Sequence, residues 1–327
     1  MSGMLGHMHT DLLTAALQDF GMTGVFYAVS DLAAPWGIDM PPLPGTMIFH
    51  LVTEGSAVVR VDDVECRLEP GDVALVPRGT GHLLADSPDT RGTPLFDLPR
   101  EELTDRYERI RIDGGGTPCR LVCGAVSFSG LGVARLARTL PPVLVTAGAD
   151  AGWQRAALDV IAAESITPRP GSDVVTARLA DVLVVQTIRS WLEESSPRRG
   201  WVAAVRDPAV GAALAAFHAE PHQAWTVESL AKAAGMSRSA FAARFTDLMD
   251  EPVMAYVTSW RMDLAARLVR GGELALGRIA TRVGYRSEAA FNRAFRRWHG
   301  CTPGVFARRG AAFQDQIGRD DETAVTG

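Results

Sequence analysis

Leu276-Gly-Arg-Ile-Ala-Thr-Arg-Val-Gly-Tyr-Arg-Ser-Glu-Ala-Ala-Phe-Asn-Arg-Ala-Phe295 places two short helical patterns on either side of a glycine turn. Ile279, Ala280 and Val283 form the apolar side of the first pattern. Gly284 ends it, because a residue that leaves a helix with positive φ is cheapest as glycine. Ser287 offers an N-cap oxygen, and Phe291, Phe295 and Trp298 recur at helical spacing as the stripe of a second helix. The pattern occurs once before. Thr226 caps a helix carrying Val227, Leu230, Ala231 and Ala234, and Gly235 closes it. Met236 packs in the turn, Ser237 caps again, and Phe241, Phe245 and Leu248 form the second stripe. Residues 253–270 read as one long helix between the copies, with Tyr256, Trp260, Leu264 and Leu268 on one side. A single helix–glycine–helix unit is a common hairpin. Two in register, held apart by a helix, read as a tandem helix-turn-helix.

The charge is partitioned accordingly. Residues 226–310 hold 14 Lys and Arg against 7 Asp and Glu, a local +7 in a 327-residue chain of net charge −5, so the remainder carries −12. Of 33 basic side chains 32 are arginine and only Lys232 is lysine, which suits fork-like contact with phosphate and guanine. The tract resembles the AraC/XylS-type transcription regulators over about residues 210–310. The likeness extends to the ending Trp298-His-Gly-Cys-Thr-Pro-Gly-Val-Phe306, where Gly300, Pro303 and Phe306 keep the family spacing. It implies double-stranded DNA and RNA polymerase as partners, with monomer or homodimer and activator or repressor left open.

Geometry distributes the roles. The face of each second helix opposite its aromatic stripe must enter the major groove with its N-terminal half. In the second copy that face carries Ser287, Glu288, Ala289, Asn292 and Arg293; in the first it carries Arg238, Ser239, Ala242 and Ala243, a barer surface suited to thymine methyls. Arg244, Arg261, Arg296 and Arg297 are expected at phosphates, which position without specifying.

Between about residues 25 and 145 the punctuation changes to that of β-strands. Apolar runs at 25–29, 47–53, 57–61, 73–76 and 121–128 are separated by Gly, Pro and Asp, as in a barrel or sandwich. Residues 91–116, polar and ending in three glycines, read as a long loop. Gly71-Asp-Val-Ala-Leu-Val-Pro77-Arg-Gly79-Thr-Gly-His82 resembles the second motif of the cupin superfamily, and Gly45-x4-His50-x3-Glu54-Gly55 resembles the first. The resemblance implies a small β-barrel acting as a sensor for an effector, with His50 and His82 facing its mouth.

Cupin enzymes hold a metal with two His, a Glu and a further His; the leading His of the first motif is Ile48 here. His50, Glu54 and His82 remain and could hold iron or another divalent ion, and Cys123 on a later strand would complete a zinc set with the two histidines. Hydrogen-bonded histidines in a packed barrel are the plainer alternative. Cys119 and Cys123 invite a redox reading, a neighbouring histidine being able to activate Cys123; buried inert thiols are the alternative. In one flat strand these two cysteines stand about 13 Å apart, beyond disulfide reach.

The expected architecture is α+β: a cupin-like sensor barrel over 1–148, a helical linker over 149–205, an all-α double helix-turn-helix module over 206–310, and a disordered acidic tail over 311–327. Two amphipathic helices, 153–164 and 174–194, carry the linker, with Leu179, Val182 and Leu183 serving either as a dimer face or, equally, as packing onto their own barrel. A further short helix is expected over 11–20. No signal-peptide pattern and no stretch of about 20 apolar residues is present, so no membrane partner and a cytoplasmic location are expected. No catalytic spacing emerges, and an enzyme reading would require a metal-dependent cupin fused to the DNA reader.

Overall fold

The computed structural model describes residues 23–104, 107–127, 130–146, 152–167, 169–195 and 197–308. The helix expected over 11–20 and the tail over 311–327 lie outside the described residues. The chain divides into two units between Pro197 and Arg198.

The first unit is built on β1 (Thr23–Ala33), β2 (Gly37–Met40), β3 (Thr46–Glu54), β4 (Ala57–Val61), β5 (Val64–Leu68), β6 (Val73–Val76), β7 (His82–Ala85), β8 (Thr93–Pro94), β9 (Arg100–Thr104), β10 (Tyr107–Asp113), β11 (Pro118–Ser127) and β12 (Leu144–Thr146). They form a seven-stranded sheet in the order β12-β6-β3-β11-β1-β10-β9 and a five-stranded sheet in the order β5-β4-β7-β2-β8. Both sheets contribute to one apolar core, which takes Ala28 and Leu32 from β1, Ile48 and Val52 from β3, Val59 from β4 and Leu84 from β7. Side chains of a strand alternate between faces, so residues two apart point the same way. His50 and Cys123 belong to these inward sets.

Met47, Phe49 and Leu51, the alternate residues of β3, are buried as well. A strand covered on both faces reads as a continuous apolar run. The helices of this unit are α1 (Leu131–Thr139), α2 (Gly152–Ile166) and α3 (Ser172–Ser195), of which α2 packs against β11 and α3 against β6 and β12, the strands flanking β3 and beyond. The two helices expected as a linker are therefore joined to the barrel sheet, and residues 198–205 of that expected segment lie in the second unit.

Residues 91–116 are not one long loop. They contain β8, β9 and β10, with β10 running parallel beside β1. Arg111 pairs across to Glu101 of β9 at 3.1 Å and Glu108 to Arg100 at 3.4 Å, Arg109 lies 3.8 Å from Asp31 of β1, and Tyr107 and Ile110 are buried. Half-solvated strands look like loops in composition.

The second unit is helical: α4 (Trp201–Arg206), α5 (Pro208–Ala219), α6 (Val227–Ala233), α7 (Arg238–Met249), α8 (Val253–Gly271), α9 (Leu276–Arg282) and α10 (Glu288–His299), followed by helical residues 303–308. Phe217, Leu230, Phe241, Phe245 and Tyr256 fill the first half; Ile279, Val283, Phe291 and Phe295 fill the second. Trp298, expected in the buried stripe, is 48% exposed. Ser237 and Ser287 cap α7 and α10 by accepting the Ala240 and Ala290 N–H groups.

Gly284 has φ +81°, and a Cβ there would lie 2.9 Å from the Arg261 guanidinium and 3.0 Å from the His222 carbonyl; Gly235 has φ +66° with nothing within 4 Å. Both Ala substitutions carry the left-handed penalty of about 1–2 kcal/mol, and Gly284→Ala adds a clash. Denaturant unfolding should therefore show Gly284→Ala losing more stability than Gly235→Ala; equal losses would contradict this packing.

Candidate functional site

Two sets of side chains carry the chemistry, one in each unit. In the barrel, His50 on β3 and Cys123 on β11 are register partners in adjacent strands, and His82 opens β7 in the opposite sheet. His50 Nδ1 lies 3.0 Å from Cys123 Sγ, His50 Nε2 lies 2.7 Å from His82 Nε2, and His82 Nδ1 lies 2.7 Å from the Thr80 carbonyl oxygen. All three side chains are buried: His50 is 0% exposed, Cys123 5% and His82 6%. Burial holds the pKa of His50 well below its ordinary value, with repulsion from His82 adding to the effect. Burial also lowers His82, opposed by its bond to Thr80. Loss of water around Cys123 pushes its thiol far up.

The remaining barrel candidates do not join this chain. Glu54 is half-exposed and held by Arg120 at 3.2 Å, which also grips Asp31 at 2.7 Å. A bulge lies behind this: Arg120 opposes Glu54 and Leu121 opposes Val52, leaving Thr53 unpaired and resetting the two-residue alternation. The expected His50–Glu54–His82 metal set is therefore not assembled. The zinc set built on Cys123 comes together in space, yet Cys123 and His82 occupy opposite nitrogens of His50 and share no common point. Among the described residues no group of three or more His, Cys, Asp or Glu side chains is placed to hold a metal, so no step is routed through one. Cys119 is buried too, and its thiol is pushed up to about 12 by lost solvation and by the carboxylates of Glu54 and Asp86. All four cysteines are free thiols.

In the helical unit the expected reading faces are solvent-facing. Arg238, Ser239 and Ala243 on α7 are exposed, as are Ser287, Glu288, Ala289 and Arg293 on and before α10; Ala242 and Asn292 are half-buried. Arg238 pairs with Glu228 at 2.9 Å, and the Oδ1 of Asn292 is buried with no hydrogen-bond partner among the described residues. Arg296 and Arg297 are exposed. Arg244 and Arg261, expected at phosphates, also have partners within the helical unit. Arg244 Nε donates to Asp207 at 2.8 Å, and Asp207 also caps α5 by accepting the Ala209 and Val210 N–H groups. Arg261 donates to the carbonyls of Pro221 and Gln223, fastening the α5–α6 loop to α8. Neither acceptor could be read from sequence, although Asp207-Pro208 is a recognisable cap-and-first-turn pair. On α3, Leu183 is buried, Leu179 half-buried and Val182 44% exposed.

This architecture, an inward-facing polar chain in a cupin-type barrel followed by tandem helix-turn-helix units, defines a two-part transcription regulator. Residues 11–193 match the cupin family model and residues 230–309 a helix-turn-helix domain model. A putative AraC-like transcription regulator of Streptomyces lividans is 34% identical over 81% of this chain and 88% of its own. The RCS-specific HTH-type transcriptional activator RclR of Escherichia coli is 29% identical over 80% of this chain and 84% of its own. Among solved structures, ToxT of Vibrio cholerae bound to an unsaturated fatty acid matches 87% of this chain and 95% of its own, at 13% identity and a TM-score of 0.37. The chain belongs to the AraC-type DNA-binding transcription regulators with an N-terminal cupin domain. No described helix is long and apolar enough to cross a membrane.

The two histidines give the barrel a pH signature. Their folded pKa values lie below 6.5, so they are neutral in the fold and charged in the unfolded chain under mild acid. The associated stability is complete above about pH 6.5 and falls as the pH drops below it, by at most about 1.4 kcal/mol per pH unit for each ring. Thermal unfolding of the barrel should therefore move to lower temperature between about pH 7 and 5. The double variant His50→Gln, His82→Gln should flatten that dependence; an unchanged slope would contradict it.

Proposed function

We propose that this regulator reads its operator through the exposed starts of α7 and α10, and that its cupin barrel receives the signal that sets operator binding. The observation that carries the reading half is the sorting of arginines by partner. Arg293, Arg296 and Arg297 remain on the outer side of α10, while Arg244 and Arg261 are held within the fold. Arg293 stands where a guanine edge would meet a recognition helix, and an arginine there accounts for about 1–3 kcal/mol of base discrimination. Asn292 adds to this, since a buried amide oxygen without a donor costs about 1–3 kcal/mol. Turned toward an adenine, the same amide has donor and acceptor partners. On α7 the alanines Ala242 and Ala243 suit thymine methyl groups, so the two copies contribute unequally to sequence preference.

The receiving half rests on the polar chain in the barrel. Three titratable side chains stand in line inside an apolar core, so a change in the protonation or oxidation state of one alters the hydrogen bonds of its neighbours. An effector that alters them alters the barrel.

Quantitative footprinting with the full chain separates the arginine classes. Arg293→Ala should lower discrimination against operator mismatches by about 1–3 kcal/mol and leave thermal stability unchanged. Arg296→Ala should weaken all sequences alike and reduce the salt slope by about 0.9. Arg244→Ala should lower the melting temperature. Undiminished discrimination in Arg293→Ala would overturn the reading assignment.

A further inference from the structure

The bonds joining Thr80, His82, His50 and Cys123 have one direction. A carbonyl oxygen only accepts, so His82 Nδ1 carries the proton that bonds Thr80. A neutral imidazole has a single N–H. His82 Nε2 is then a lone pair, His50 Nε2 donates to it, and His50 Nδ1 is a lone pair facing the sulfur of Cys123. The thiol proton points at a base, and that base is connected to a second one.

Cys119 supplies an internal contrast. It is as buried as Cys123, at 4% exposed against 5%, and lies on the same inner face of β11. It also lines a pocket of about 260 Å³ at the end of β1, β10 and β11. No base is hydrogen-bonded to its thiol among the described residues. Access therefore favours Cys119, and only the histidines favour Cys123.

Taking the barrel as the input domain proposed above, we propose that Cys123 is a single-thiol oxidation site for small uncharged hydroperoxides, activated by passing its proton through His50 to His82. With hydrogen peroxide, Sγ attacks one oxygen; the S–O bond forms as the O–O bond breaks. The sulfur loses two electrons and becomes a sulfenic acid, and the peroxide is reduced to water. As the thiol proton reaches His50 Nδ1, the proton of His50 Nε2 crosses to His82 Nε2, and both shifts reverse to protonate the leaving hydroxide. Positive charge thus rests on His82, the less buried ring, two rings away from the sulfur. Before the oxidant arrives the thiol stays protonated, which keeps it quiet toward bystander electrophiles. A Cys119–Cys123 disulfide is not the product, because four residues of extended strand hold the Cα atoms about 13 Å apart against a limit near 7 Å.

The test exposes the full-length protein to hydrogen peroxide, traps sulfenic acid, and measures each cysteine by peptide mass spectrometry. Cys123 should react about tenfold or more faster than Cys119. His82→Gln retains an acceptor for His50 but cannot take a proton, and should slow Cys123 on the order of tenfold. That is less than the 10²–10⁴ of a complete general base because His50 remains. The Cys119 rate should not change. Equal rates at the two thiols, or a Cys123 rate indifferent to His82→Gln, overturns the proposal. If His82→Gln does not fold, the wild-type ratio decides alone. Operator binding measured on the same oxidised sample tests the input-domain reading separately: Cys123 oxidation without altered binding keeps the relay and ends that reading.

Discussion

A neutral imidazole has one proton for two nitrogens, and in this barrel the carbonyl of Thr80 commits it. From that single acceptor the arrangement of the site follows: the tautomer of His82, the tautomer of His50, and a lone pair at the sulfur of Cys123. The chain links the two sheets, since His50 and Cys123 come from the larger one and His82 from the smaller. An apolar core tolerates such a chain only if every member is satisfied. Each nitrogen of both rings has a partner here, and the rings remain neutral because burial disfavours charge.

The DNA-binding unit obeys a comparable constraint in helical form. Each second helix buries an aromatic stripe, and what remains opposite that stripe is the surface available to a groove. Arginine alone does not mark this surface. Of the arginines in the unit, some extend from α10 into solvent, while Arg244 and Arg261 hold helix ends and loops together by bonding Asp207, Pro221 and Gln223. Arg270 lies over the ring of Phe306 at 4.7 Å, tying the final turn to α8. The positive charge concentrated here thus divides into a part that faces outward and a part that builds the scaffold.

Much of this was legible in the chain. The tandem helix-turn-helix is written in local spacing, with serine caps, aromatic stripes and closing glycines each acting within a few residues, and the structure places all of them as read apart from Trp298. The two cupin motifs located His50 and His82 for the same reason. Glu54 shows where local reading fails. By parity it shares a face with His50, but the bulge at Thr53 resets the alternation, and a bulge depends on the partner strand. The internal partners of Arg244 and Arg261 were not legible, because those acceptors lie 37 and 40 residues away. Strands β9 and β10 were hidden by their many charged side chains, among which only Tyr107 and Ile110 of β10 are buried.

Nitrogen-15 NMR of histidine-labelled protein at about pH 7.5 tests the central claim most directly, because it reports which nitrogen of each ring is protonated. The account predicts His82 protonated on Nδ1 and His50 protonated on Nε2, each ring neutral. A proton on His50 Nδ1, or a charged ring at either position, would reverse the direction of the chain and contradict it.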